Sequence, residues 1–411
     1  MYRRLVAITL TTAPIALAVS AIAAGITTTA PSWWRAAVHL AVLGGIAMMI
    51  YGVNIRIVPV FARRSWRSER MLVAQVVAGG AGAWVSFLGI GVRSTVLAGV
   101  GQTLALAGGV LFMANIAMLF RQQPGAAVAP PARHEEQVDV DPIATRFTRL
   151  SGTWLLLGLA TGVALTWWHP STGRWDLVWA HMLLIGFFLS MASGVCYHVL
   201  PRWTGRPWRS IALIRWHYHL VLAGLPLMVL ALAVDHSALF LLAGPIQAVA
   251  IALLLLNIAP HVWSLRGAVR GGIVVASACL VLGVSLGVAF AIDPAIGPRL
   301  RQAHAVANLF GWAGLLISGF GYNLVPGFSG GSLRWPRLAM AQIVVLATGV
   351  LAGVGAIAWR MYGSGPEWAI ILSQAVVALG LGLFALQVAA IFASPPQPPS
   401  PIRILPAPHL S

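Results

Sequence analysis

Twelve stretches of about 20 or more mostly apolar residues run through the chain with short polar breaks between them, the length an α-helix needs to cross the hydrocarbon core of a bilayer. They are residues 5–27, 36–60, 71–92, 95–120, 149–168, 177–200, 211–234, 237–260, 271–292, 302–326, 338–359 and 368–394. In lipid each backbone N–H and C=O must be satisfied internally, so such stretches fold as helices and not as open sheets. Composition agrees, with 59% apolar and 9% charged residues against about 25% charged in a soluble domain. The expected fold class is an all-α membrane protein of about twelve transmembrane helices, with the lipid bilayer as its solvent. The first stretch follows Tyr2-Arg3-Arg4 and could pass for a signal peptide, but the repeat described below requires it as a span.

All 26 basic residues are arginine, against 9 acids. They lie in short loops instead of on one polar face, which excludes nucleic acid as a partner and fits the positive-inside bias. With the N-terminus inside, the inner loops collect Arg3, Arg4, Arg63, Arg64, Arg67, Arg70, Arg121, Arg133, Arg146, Arg149, Arg202, Arg206, Arg209, Arg266, Arg270, Arg334, Arg337 and Arg403. The outer loops receive Arg35, Arg93, Arg174, Arg299, Arg301 and Arg360. The bias places both termini in the cytoplasm and the chain in the cell inner membrane. Cys196 and Cys279 both fall within apolar stretches, so neither a disulfide framework nor a CxxC motif is present.

Three segments share a pattern: HLAVLGGIAMMIYGVNIRIVP from His39, HMLLIGFFLSMASGVCYHVLP from His181 and VANLFGWAGLLISGFGYNLVP from Val306. Each has glycine at its sixth position (Gly44, Gly186, Gly311), glycine at its fourteenth (Gly52, Gly194, Gly319) and proline at its twenty-first (Pro59, Pro201, Pro326). These are the second, sixth and tenth helices, so the chain reads as three pseudo-repeated four-helix units. The units are 1–120, 149–264 and 265–394. A cytoplasmic linker carrying Glu135, Glu136, Asp139 and Asp141 occupies 121–148, and a Pro-rich disordered tail occupies 395–411. The glycines let helices approach closely and each proline is expected to close its helix.

Seven histidines lie in or at the edge of spans: His39, His181, His198, His217, His219, His261 and His304. Ionisable residues at membrane depth are costly and face the bundle interior, and neutral imidazole is a common ligand for haem iron and copper. His39, His181 and His304 lie in the first turns of outward-starting helices and share one depth. His198, His217, His219 and His261 lie near cytoplasmic ends with Arg215. His181 and His198 are 17 residues apart, about 25 Å along a helix, so two layers result. His198, His217, His219 and Arg215 form a possible inner-side site for a quinol headgroup or second metal.

Twelve helices in three repeated arcs, with histidine on the second, sixth and tenth, resemble subunit I of the haem-copper oxidases and nitric oxide reductases. HMLLIGFF followed by YHVLPRWTGRPW is similar to the sixth helix of cbb-type oxidases, and QAHAVANLFGWAGLLISGFGYNLVP resembles their tenth. YGVNIRIVPVF resembles the NnrS group, twelve-span haem and copper proteins associated with nitric oxide tolerance. The resemblance implies His304 as an axial ligand of haem b, His39 as a second haem ligand, and His181 as a copper ligand. It also implies departures. The second histidine of the family's His-x-His on helix ten is Val306 here, and the helix-seven pair that completes copper coordination is missing, LVLAGLPLMVLAL following His219. The oxygen-reducing binuclear centre is therefore not expected, and neither is a bis-histidine haem.

None of the 9 acids falls within the apolar stretches, which argues against a carboxylate proton relay and thus a pump. The reading that follows is an integral membrane haem-binding protein that binds or processes a diatomic gas such as nitric oxide, with a redox partner or quinol as its electron source. Two alternatives stay open: a polytopic transporter, or a cofactor-free membrane partner subunit whose histidines are structural. Asn54, Gln102, Asn115, Asn257 and Asn323 are scattered and do not trace a transport path.

Overall fold

The computed structural model describes residues 2–26, 32–125, 134–168, 172–361 and 363–394. Among these residues there is no strand, and twelve helices are long and apolar enough to cross a membrane. They are α1 (Tyr2–Gly25), α2 (Ser32–Ala62), α3 (Glu69–Gly91), α4 (Thr95–Phe120), α5 (Gln137–Trp167), α6 (Trp175–Thr204), α7 (Ile211–Val234), α8 (Ser237–Ser264), α9 (Gly267–Ile292), α10 (Leu300–Ser329), α11 (Pro336–Met361) and α12 (Glu367–Ala393). The first apolar stretch is thus a helix, α1, packed between α2 and α12. Ser68, Ser94 and Ser210 cap α3, α4 and α7, each hydroxyl accepting from the backbone N–H three residues on and satisfying one orphan donor of the first turn.

Helix α5 begins at Gln137, well before the linker was expected to end at 148. Its polar first turns are tied to α6: Gln137 Nε2 donates to Asp141 Oδ1 at 2.6 Å and to the Tyr197 carbonyl at 3.1 Å. These bonds repay the ordering of a segment that composition alone marks as solvated. The Pro-rich part of the linker with Arg133, the position His169, and the tail 395–411 with Arg403 and His409 lie outside the described residues.

The three repeated segments form the centre of the bundle. The most apolar windows of α2, α6 and α10 are 83%, 72% and 83% buried inside the protein, against 28–61% for the other nine helices. In each, the paired glycines admit the preceding helix. A side chain at Gly44 or Gly52 would strike Ala16 or Leu10 of α1, one at Gly186 or Gly194 would strike Trp154 or Ala144 of α5, and one at Gly311 or Gly319 would strike Cys279 or Ile273 of α9. Each helix also widens into a π-helical stretch at the same place, Leu40–Ala47, Met182–Leu189 and Ala307–Gly314, beginning directly after His39, His181 and Val306. Such stretches are rare and concentrate at functional sites.

The prolines do not close these helices. Pro59, Pro201 and Pro326 sit in the last turn, and each helix runs three residues further, to Ala62, Thr204 and Ser329. The chain then turns through a left-handed residue, Arg63 (φ 54°), Gly205 (φ 66°) or Gly330 (φ 69°). Proline removes one N–H from the ladder but keeps its own carbonyl, which accepts the closing bond from Arg63 and from Gly205.

Candidate functional site

At the N-terminal ends of α2, α6 and α10 the helices part around a cavity of about 1110 Å³ whose walls come from α2 and from α6 through α12. Ligand pockets of about 300–1,000 Å³ are typical for small molecules and cofactors. His39, His181 and His304 all line it. Each is fixed in the same way. His39 Nδ1 lies 2.9 Å from the Arg35 carbonyl, His181 Nδ1 2.8 Å from the Leu177 carbonyl, and His304 Nδ1 2.8 Å from the Gly283 carbonyl. A carbonyl only accepts, so each neutral ring carries its proton on Nδ1 and leaves the Nε2 lone pair free. Metal-binding histidines are oriented by this kind of bond.

The three rings are not equivalent. His39 lies flat on Trp179, with centroids 3.9 Å apart and planes at 13°. His181 and His304 face each other across a gap, with centroids 6.4 Å apart and planes at 23°. The Gly283 carbonyl that holds His304 is on α9, where the absence of a side chain also makes room for Asn308, whose Nδ2 donates to the His304 carbonyl at 2.8 Å. Phe188 and Trp312 from two of the π-helical stretches meet at 4.6 Å in the core beside the cavity.

Charge gathers on the cavity wall. Arg174 pairs with Asp235 at 2.7 Å and Arg360 with Glu367 at 2.7 Å. Arg35 and Arg301 also line the cavity and have no acidic partner among the described residues. Gln247 of α8 is buried in the wall with neither side-chain atom hydrogen-bonded. None of Gln247, Arg35 and Arg301 was singled out from the sequence as a site residue, although a glutamine in the middle of an otherwise apolar helix is a legible signal.

The opposite end of the bundle holds the other histidines, and they do not form one group. His198 Nδ1 is 2.9 Å from Asp141 Oδ1, and Arg202 grips the same carboxylate through both nitrogens at 3.1 and 2.7 Å. His217 is fully buried and hydrogen-bonded to the Tyr197 hydroxyl at 2.8 Å. His261 is fully buried with its Nδ1 2.8 Å from Thr204 Oγ1. His219 and Arg215 are exposed on α7, away from His217. Among the described residues, no cluster of three or more His, Cys, Asp or Glu is arranged to hold a metal by itself.

Of the scattered amides within the spans, Gln102 keeps a buried Oε1 without a partner, and three others are bonded locally. Asn54 donates to the Ile50 carbonyl, Asn115 to Gln75, and Asn257 bonds the Ser210 backbone, while Asn323 is exposed. They serve as joints between and along helices.

A haem-copper terminal oxidase dimer solved by cryo-electron microscopy superposes on this arrangement with a TM-score of 0.70 over 97% of this chain and 85% of that one. The fold is that of haem-copper oxidase subunit I. Sequence identity over the match is 13%, so the likeness is one of architecture. No family profile and no curated protein matches the sequence. The cavity lies where α2, α6 and α10 bring their histidines to one end of the molecule.

Proposed function

We propose that this multi-pass membrane protein binds haem b in the cavity at the His39, His181 and His304 end, with His304 as an iron ligand, and that the haem binds or processes a diatomic gas such as nitric oxide. The observation that carries the reading is the shared locking of three imidazoles that line one cavity, each with Nδ1 on a backbone carbonyl. The buried His217 and His261 also have an Nε2 without a partner, but neither lines the cavity, whereas a ligand histidine needs both an open nitrogen and space in front of it. The cavity's other groups suit the same occupant. Apolar and aromatic walls match a macrocycle, and Arg35 and Arg301 match the two carboxylates that haem carries. Bound haem would supply an iron able to take up a gas molecule; the protein holds it, excludes bulk water from one face and sets its ligands.

His181 alone supplies no complete copper site, because copper with nitrogen ligands takes further imidazoles and α7 brings none to the cavity. Haem is therefore the cofactor proposed, without a copper partner. By the arginine bias the termini are cytoplasmic, in the inner membrane, and the cavity faces the outer leaflet. Protein purified after expression with a haem supply is expected to show a Soret band that shifts when nitric oxide is added to the reduced sample. Colourless protein, or haem that no gas perturbs, contradicts the reading.

A further inference from the structure

The distance between His181 and His304 carries more than their presence in one cavity. Their ring centroids are 6.4 Å apart and their planes nearly parallel at 23°. This is too far for the rings to stack, as the 3.9 Å contact between His39 and Trp179 shows within the same site. Two imidazoles bonded through Nε2 to opposite sides of one metal have two metal–nitrogen bonds of about 2.0–2.1 Å, and adding about 1.1 Å from each nitrogen to its ring centre gives about 6.3 Å. Two separate metals in line, about 3.5–4 Å apart, would spread the rings to about 10 Å.

The hydrogen bonds agree with the first arrangement. His181 is held from its own helix by the Leu177 carbonyl, and His304 is held from behind by the Gly283 carbonyl on α9. With Nδ1 tethered in each ring, Nε2 is the nitrogen left to bind, and both residues line the cavity.

We infer that His181 and His304 would together hold one metal between them, an inference that rests on the haem reading above and changes which residues hold the iron. Two protein ligands with no third His, Cys, Asp or Glu gathered beside them are what an iron already held by four macrocycle nitrogens needs, and too few for a bare ion that prefers a tetrahedral site. The pairing replaces the partner lost at Val306 with a histidine from α6, so the expectation of a single-histidine iron gives way to a six-coordinate one. His181, held only from its own helix, would be the ring that yields its place to a gas, keeping its Nδ1 proton on the Leu177 carbonyl with no electron or proton moved. His304, anchored on a second helix, stays.

The test compares wild type, His181→Ala and His181→Met by electron paramagnetic resonance of the ferric protein and by carbon monoxide binding to the reduced protein, with haem and copper per chain measured in each. Wild type is expected to be low-spin. His181→Ala is expected to become high-spin at unchanged haem content and to bind carbon monoxide about tenfold faster or more, since the competent state no longer awaits release of a ligand. His181→Met, which restores a sixth ligand of different character, is expected to return the low-spin signal with altered g-values. A wild type that is already high-spin, or a switch to high spin in His39→Ala and not in His181→Ala, overturns the pairing while leaving the haem reading intact. Copper without haem in the wild type, or no metal at all, overturns both.

Discussion

The two ends of the bundle use the same residue type in opposite ways. At one end His39, His181 and His304 spend Nδ1 on backbone carbonyls and leave Nε2 to a cavity. At the other, His198, His217 and His261 bond to side chains, Asp141, Tyr197 and Thr204, and aromatic rings cover the buried two, Phe147 at 4.7 Å from His217 and Trp208 at 4.3 Å from His261. A backbone carbonyl fixes a ring without competing for the second nitrogen or carrying charge, so it prepares a ligand. Side-chain partners build a network whose members depend on one another, and such a network joins helices α5 to α8. Histidine at membrane depth thus marks either a site or a joint, and the space in front of it tells which, since His217 and His261 also keep an unpartnered Nε2 but lie buried away from the cavity.

The widest separation between the two ends is expected in haem retention. His304→Ala should lower haem per chain by about tenfold or more, whereas His217→Ala should keep the full complement and lose thermal stability instead. Pyridine-haemochrome assay beside a melting curve reads both, and haem loss in His217→Ala with retention in His304→Ala would reverse the assignment. The next effect belongs to the joint. Asp141→Asn removes a carboxylate that holds His198 and both nitrogens of Arg202, and is expected to cost about 1–3 kcal/mol of stability with haem content unchanged. A variant as stable as wild type would show that the network is not what ties α5 to α6. The smallest effect belongs to the free cations. Arg35→Gln and Arg301→Gln should each weaken haem affinity by roughly 1.5–5-fold, less so at high salt, as for exposed ion pairs. Equal affinities would remove the arginines from the haem carboxylates.

The helices and their order were legible because a lipid solvent leaves the chain few choices, and nine of the twelve helix starts fall within about three residues of the apolar edges read from sequence. The repeat was legible too, as its glycines and prolines reappear as close helix contacts and matching last turns. What was not legible depended on other segments. The early start of α5 rests on Gln137 and Asp141 finding partners on α6. Polarity placed His219 and Arg215 with His217, but the period of α7 turns them to the exterior. The pairing of His181 with His304 needs the relative position of two helices and a carbonyl from a third, none of which the sequence spacing contains. A single amide in an apolar helix is usually a joint, and only its unbonded atoms at the cavity single out Gln247.

Whether one end of this bundle holds haem is decided by titrating haemin into the haem-free protein in detergent and following the Soret band. Saturation at about one haem per chain, abolished in His304→Ala and preserved in His217→Ala, is the predicted result. Absence of saturable binding, or binding indifferent to His304, would contradict it.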